Sequence, residues 1–168
     1  IVQKFLVSPT PRTALVAGKA LAAGLRSFTQ AVIVLILAMA LGVSVVLAPL
    51  PLLTVVLVVL LGAAIFATLS LIIACLVKTR ERFMGIGQMV TMPLFFASNA
   101  IYPIAMMPGW LQVISYGNPL TYVVDALRGS MIVGGVSEFG LLLDLGLLAA
   151  IAVALILIAG RVYPRVGM

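Results

Sequence analysis

Apolar residues in this chain fall in long unbroken runs rather than in alternation with polar ones. Four runs stand out, at 27–47, 52–77, 84–104 and 140–160. Each holds about the 20 residues that a helix needs to cross the hydrocarbon core of a bilayer. Alternation with period two is absent, and lipid offers no partner to open backbone groups, so helices are the expected spans. The pattern predicts an all-α, polytopic membrane protein with four transmembrane helices in a single domain, 1–168.

The segment 105–139 breaks this pattern, being too polar to span and too apolar for a free loop. Asn118 is placed as an N-cap with Pro119 at the first helical position. Leu120, Val123, Val124, Leu127 and Met131 then recur on one helical face, while Thr121, Tyr122, Asp125 and Arg128 fall elsewhere on the wheel. A shorter helix from Gly109 to about Tyr116 precedes it, carrying Trp110 and Tyr116, residues suited to a membrane interface. Together they predict a helical hairpin that lies on, or dips into, the outer leaflet before the last span.

Composition agrees with a lipid solvent. Hydrophobic residues make up 64% of the chain and charged residues 8%, against ~25% charged in an average soluble domain. With one cysteine, Cys75, and no histidine, a disulfide framework is excluded and a metal site is not expected. No nucleophile stands with a base, so no catalytic residue is expected. The net charge of +6 comes without a basic cluster interleaved with exposed aromatics, which argues against nucleic acid as a partner.

The placement of the bases sets the orientation. Lys4, Arg12, Lys19 and Arg26 precede the first span, Lys78, Arg80 and Arg82 lie between the second and third, and Arg161 and Arg165 follow the fourth. By the positive-inside rule, 1–26, 78–83 and 161–168 are expected in the cytoplasm, with 48–51 and 105–139 outside. Arg12, Lys19 and Arg26 recur every seven residues, which makes one basic stripe on a helix capped by Thr10 and begun by Pro11. Such a stripe suits an interfacial helix at anionic headgroups.

Three features carry candidate chemistry. Asp125 and Arg128 stand at i and i+3, so they either neutralise each other at a half-buried site or fix an outer gate. In the third span Gln88, Thr91, Ser98 and Tyr102 share a helical face, flanked by Asn99, and either hydrogen-bond between helices or line a substrate route. Pro93 should kink that span. Asp144, one turn into the last span, has no second intramembrane acid or histidine to make a proton relay. Gly62, Gly85 and Gly87 are expected to permit close helix packing.

The run NPLTYVVDALRGSMI resembles the signature that precedes the last transmembrane helix in ABC-2 type transporter permeases. KFLVSPTPRTALVAGKALA is similar to a cytoplasmic segment of the same family, and SNAIYPIAMMPGWLQVISYGNPLTY to a stretch of its drug-export branch. The matches follow the family's order and cover nearly the whole chain. Such permeases usually have six spans, so the resemblance implies that about two precede Ile1.

The family works as a permease dimer with two ATPase subunits or domains. No G-x-x-x-x-G-K-[ST] phosphate loop is found here, so the resemblance implies ATP and magnesium in a partner ATPase and a second permease copy beside this one. It also implies a coupling segment at 1–8, with Phe5 and Leu6 packing on the ATPase, Lys4 facing polar groups, and Arg12 beyond it. The implied function is export across the cell membrane of an amphipathic substrate: a drug, a lipid or a lipid-linked glycan. Polysaccharide export is the sibling alternative. A non-transporting scaffold or accessory subunit needs the same spans without coupling. A proton-driven transporter would need ionisable groups at mid-membrane.

Overall fold

The computed structural model describes residues 12–77 and 79–162. Six α-helices follow in order: α1 Arg12–Ala40, α2 Pro49–Leu76, α3 Arg80–Phe96, α4 Gly109–Tyr116, α5 Pro119–Met131 and α6 Leu141–Val162, with a 3-10 turn Ile104–Met106 before α4. No strand is present among the described residues. Among the described residues three helices are long and apolar enough to cross a membrane: Ala17–Ala40 within α1, all of α2, and all of α6.

The four predicted spans meet the structure unevenly. The runs at 52–77 and 140–160 correspond closely to α2 and α6. The first differs at both ends, because α1 is continuous from Arg12 and stops at Ala40 instead of reaching residue 47. Gly42, at φ +80°, is the reason. The Gly42 amide donates to Met39 O and the Val43 amide to Ala38 O, both at 3.0 Å. This is the paired closure of a Schellman motif, which needs a left-handed residue just past the helix.

The third predicted span, 84–104, is also not one helix. α3 starts earlier, at Arg80, and ends at Phe96, so its 17 residues extend roughly 25 Å. Pro93 lies inside it and supplies no amide hydrogen. Ser98 then turns its hydroxyl onto Phe95 O at 2.6 Å, and the chain continues through turns to the 3-10 helix. Local side-chain bonding to backbone competes with helix propagation here. The face of Gln88, Thr91, Ser98 and Tyr102 therefore does not exist as one helical face.

After Gly42 the chain is extended and pairs with the residues that follow α5. Val45 bridges Ile132, the Val46 amide donates to Met131 O at 2.8 Å, and the Val133 amide donates to Ser44 O at 3.2 Å. The α1–α2 link and the α4–α5 hairpin thus share one end of the bundle, called the hairpin end below.

The core joins α2, α5 and α6: Val58 and Ile65, Tyr122, Val123 and Ala126, and Leu148 and Ala152. On α6 the buried residues Asp144, Leu148, Ala152 and Ala159 keep to one helical face. Gly62 lets α5 approach α2, since a Cβ there would lie 3.3 Å from Val123. Gly85 and Gly87 have no such neighbour within 4 Å among the described residues, so the close packing expected of them is not formed here.

Candidate functional site

The polar residues of 118–128 form a hub at the hairpin end, and each closes a specific gap in the backbone around it. Asn118 begins α5 by accepting the Leu120 amide at 3.0 Å on Oδ1. Pro119 follows at the start of the helix, where a missing amide hydrogen costs nothing. The Asn118 side-chain amide donates to Leu94 O at 2.6 Å. Leu94 O is among the last four carbonyls of α3, which have no partner within their own helix. One side chain thus caps the start of α5 and satisfies the end of α3.

The next two polar residues tie α5 back to α4. Thr121 Oγ1 donates to Ser115 O at 2.8 Å and lies 3.3 Å from Ser115 Oγ. Tyr122 Oη donates to Tyr116 O at 2.7 Å. Burial pushes the Tyr122 phenol above its ordinary value, and nearby Asp144 and Tyr116 act in the same direction. Phe139 packs against both rings, with centroids 6.0 Å from Tyr116 and 5.2 Å from Tyr122.

Asp125 and Arg128 do not form the predicted pair. Asp125, fully buried, accepts the Ser137 hydroxyl at 2.8 Å and the Glu138 and Phe139 amides, each at 3.1 Å. Arg128 donates from Nη2 to Asn99 O at 2.6 Å. Each finds a partner that helical spacing does not reveal: the strap 133–140 for the acid, the turn after α3 for the base. The strap lies close against α5. A Cβ on Gly129 would stand 3.0 Å from Ser137 Cβ, and one on Gly135 would collide with Arg128 O.

The burial of α5 also departs from its apolar stripe. Thr121, Tyr122, Val123, Asp125, Ala126 and Ser130 are buried, whereas Leu120, Val124, Leu127 and Met131 are half-buried. Thr121, Tyr122 and Asp125 can go inside because neighbouring backbone groups satisfy them, which removes most of the desolvation cost, whereas Ser130 Oγ finds no hydrogen-bond partner among the described residues.

The other sequence candidates lie apart. Gln88 and Thr91 are exposed on α3, Ser98 and Asn99 are buried in the turn after it, and Tyr102 is half-buried. Asn99 joins the hub through its backbone carbonyl, while its side-chain amide is buried with neither polar atom bonded among the described residues. Thr91 alone of these lines a cleft of ≈ 270 Å³ between α2 and α3, with Phe66, Ser70, Ile73, Phe83 and Val90. Lys4, Phe5 and Leu6 lie outside the described residues, and only the backbone of Arg12 is described. Sequence reasoning missed Ser137 altogether. Its only signal was a lone hydroxyl in a short segment between glycines and the last helix.

The family model for the ABC-2 type transporter matches residues 1–132. Over 61 residues the chain is 39% identical to a transport permease, ycf38, of Cyanophora paradoxa, covering 36% of this chain and 21% of that protein. Over 92 residues it is 33% identical to the daunorubicin resistance ABC transporter permease protein DrrB1 of Streptomyces coeruleorubidus, covering 55% of this chain and 29% of that one. Over 76 residues it is 30% identical to nodulation protein J of Rhizobium meliloti (strain 1021), covering 45% and 29%. The chain thus spans less than a third of the length of each of these relatives. No solved structure matches it. The family match takes in α1 to α5, and with them the hub of Asn118, Thr121, Tyr122, Asp125 and Arg128. This chain belongs to the ABC-2 type transporter family.

Proposed function

We propose that this chain is part of the membrane-spanning permease subunit of an ATP-driven exporter in the cytoplasmic membrane. The observation that carries the proposal is the family match over residues 1–132, on a chain whose α1, α2 and α6 are fit to cross a bilayer. ATP and magnesium belong to an ABC ATPase partner, and a second permease copy completes the pathway. The hairpin end faces outward and both ends of the chain face the cytoplasm, in keeping with the distribution of Lys and Arg. Residues 1–8 act as the coupling segment, with Lys4, Phe5, Leu6 and Arg12 at the ATPase contact. Of the route candidates Gln88, Thr91, Ser98, Asn99 and Tyr102, Thr91 is the one that lines the cleft between α2 and α3.

The substrate is amphipathic: a drug, a lipid or a lipid-linked glycan. Two features support that class. One relative is named for daunorubicin resistance. The cleft between α2 and α3 is walled by Phe66, Ile73, Phe83 and Val90, with the hydroxyls of Ser70 and Thr91 as its sparse polar groups. Apolar walls with few polar groups suit such a molecule better than an ion.

The test is reconstitution of the full-length permease with its cognate ATPase in proteoliposomes. Amphipathic drugs or lipids are expected to stimulate ATP turnover, and Phe5→Ala with Leu6→Ala to lower it without disturbing membrane insertion. Turnover indifferent to every such compound and to both substitutions would remove the proposal.

A further inference from the structure

Ser137 Oγ stands 2.8 Å from Asp125 Oδ2 and 3.2 Å from Asp144 Oδ2, and accepts the Gly140 amide at 2.8 Å. A serine hydroxyl has one hydrogen and two lone pairs. Its hydrogen can serve one carboxyl oxygen at a time. With two carboxylates, the other contact would set oxygen against oxygen with no proton between them. Both acids are fully buried, and Asp144 Oδ1 has no hydrogen-bond partner among the described residues. Asp125 is well supplied as an anion, since it also accepts the Glu138 and Phe139 amides. Asp144 is not. It stands in the first turn of α6, with Ser137 as the one hydrogen-bond partner of its carboxyl among the described residues. One further proton completes the hydrogen-bond count.

We propose that Asp125 and Asp144 hold one proton between them through Ser137, and that this proton fastens the 133–140 strap across α5 to the start of α6. With the proton in place, one carboxylate, one acid and one hydroxyl are mutually satisfied. Once it is lost, two buried carboxylates face each other across Ser137. The cheapest relief is for the strap to lift and admit water, which releases the Glu138 and Phe139 amides. The hub is thereby a proton-sensitive fastening, closed at low pH and loosened as pH rises.

The surrounding groups leave this pair to set the response. Tyr116 on α4 and Tyr122 on α5 are the nearby phenols, and burial pushes that of Tyr122 above its ordinary value. Arg128 on α5 is engaged with Asn99 O, and Glu138 in the strap is exposed. α2, which packs on α6, has no charged residue. Lys19 and Arg26 of α1 stand about 20 Å or more from that helix's hairpin-end terminus.

Hydrogen exchange of the full-length permease in lipid nanodiscs reads the strap directly. It does so whether or not the protein exports anything. Protection factors of the Glu138 and Phe139 amides are expected to fall about tenfold or more from about pH 5 to pH 9. In Asp144→Asn, whose side chain is neutral at every pH and can donate in place of the acid, protection should stay high throughout. Native protection that is constant with pH, or an equal fall in Asp144→Asn, would overturn the proposal. Should that variant fail to insert, Ser137→Ala serves instead. It is expected to show low protection with no pH dependence, and a native-like fall in it would be equally fatal.

Discussion

Asp125 and Arg128 stand one turn apart on α5 and bond away from each other, the acid to Ser137 and the Glu138 and Phe139 amides, the base to Asn99 O. An acid and a base in one signature, three positions apart, look like a local ion pair. Here they are two separate anchors, each to a different neighbour of the same helix. A double-mutant cycle with Asp125→Asn and Arg128→Met should therefore give a coupling energy within about 0.5 kcal/mol. Thermal melts of the detergent-solubilised protein can supply the four stabilities. Coupling well above 1 kcal/mol would restore the ion-pair reading.

Asn118 performs two jobs of opposite polarity, accepting at the start of α5 and donating to the end of α3. Aspartate is ordinarily as good an N-cap as asparagine. At this position it would lose the donor and bring a negative charge against Leu94 O. Asn118→Asp should cost at least as much stability as Asn118→Ala, about 1–3 kcal/mol. An aspartate variant as stable as the native protein would show the bond to α3 to be idle.

Arg128 acts on a backbone carbonyl, so the side chain of Asn99 is not part of that contact. That side chain is buried with both polar atoms unbonded among the described residues. Asn99→Leu removes them and should be neutral or slightly stabilising, within about 1 kcal/mol, whereas Arg128→Met should destabilise by about 1–3 kcal/mol. Equal losses in the two variants would mean that the Asn99 amide has a partner of its own.

Asp125 satisfies two strap amides and one hydroxyl at once. Asp125→Ala leaves these part-buried groups without their acceptor and should cost about 1–3 kcal/mol, with Asp125→Asn falling in between. Urea or heat unfolding in mixed micelles gives the ranking. An alanine variant milder than the asparagine variant would contradict it.

At Gly62 the space is set by Val123 across the α2–α5 contact. Gly62→Val adds branched bulk where even a bare Cβ would be tight, and should cost about 1–3 kcal/mol. Val123→Ala in the same chain should recover part of that loss. Failure of the second change to help would place the strain elsewhere.

The sequence announced some elements through local chemistry and concealed others. α5 was legible because Asn118 and Pro119 are start signals, and α2 and α6 because their apolar runs have little to interrupt them. The end of α1 was hidden because Gly42 lies inside an apolar run, and hydropathy does not register a left-handed backbone. The end of α3 was hidden for a related reason. A run of spanning length says nothing of whether Ser98 will turn onto Phe95 O. The hub was half legible. Spacing placed Asn118, Asp125 and Arg128 on one helix, but their partners are backbone groups of Leu94, Asn99, Glu138 and Phe139, which no pattern of side chains records.

α3 is held at its tip by Asn118 and Arg128, while its flank meets α2 across a cleft and Met89 stands 77% exposed. A rod fixed in that way is a lever with its pivot at the hub. Over roughly 25 Å, about 10° of tilt carries the Phe83 end sideways by about 4 Å. Such a swing would change the width of the cleft between α2 and α3, whose walls are apolar.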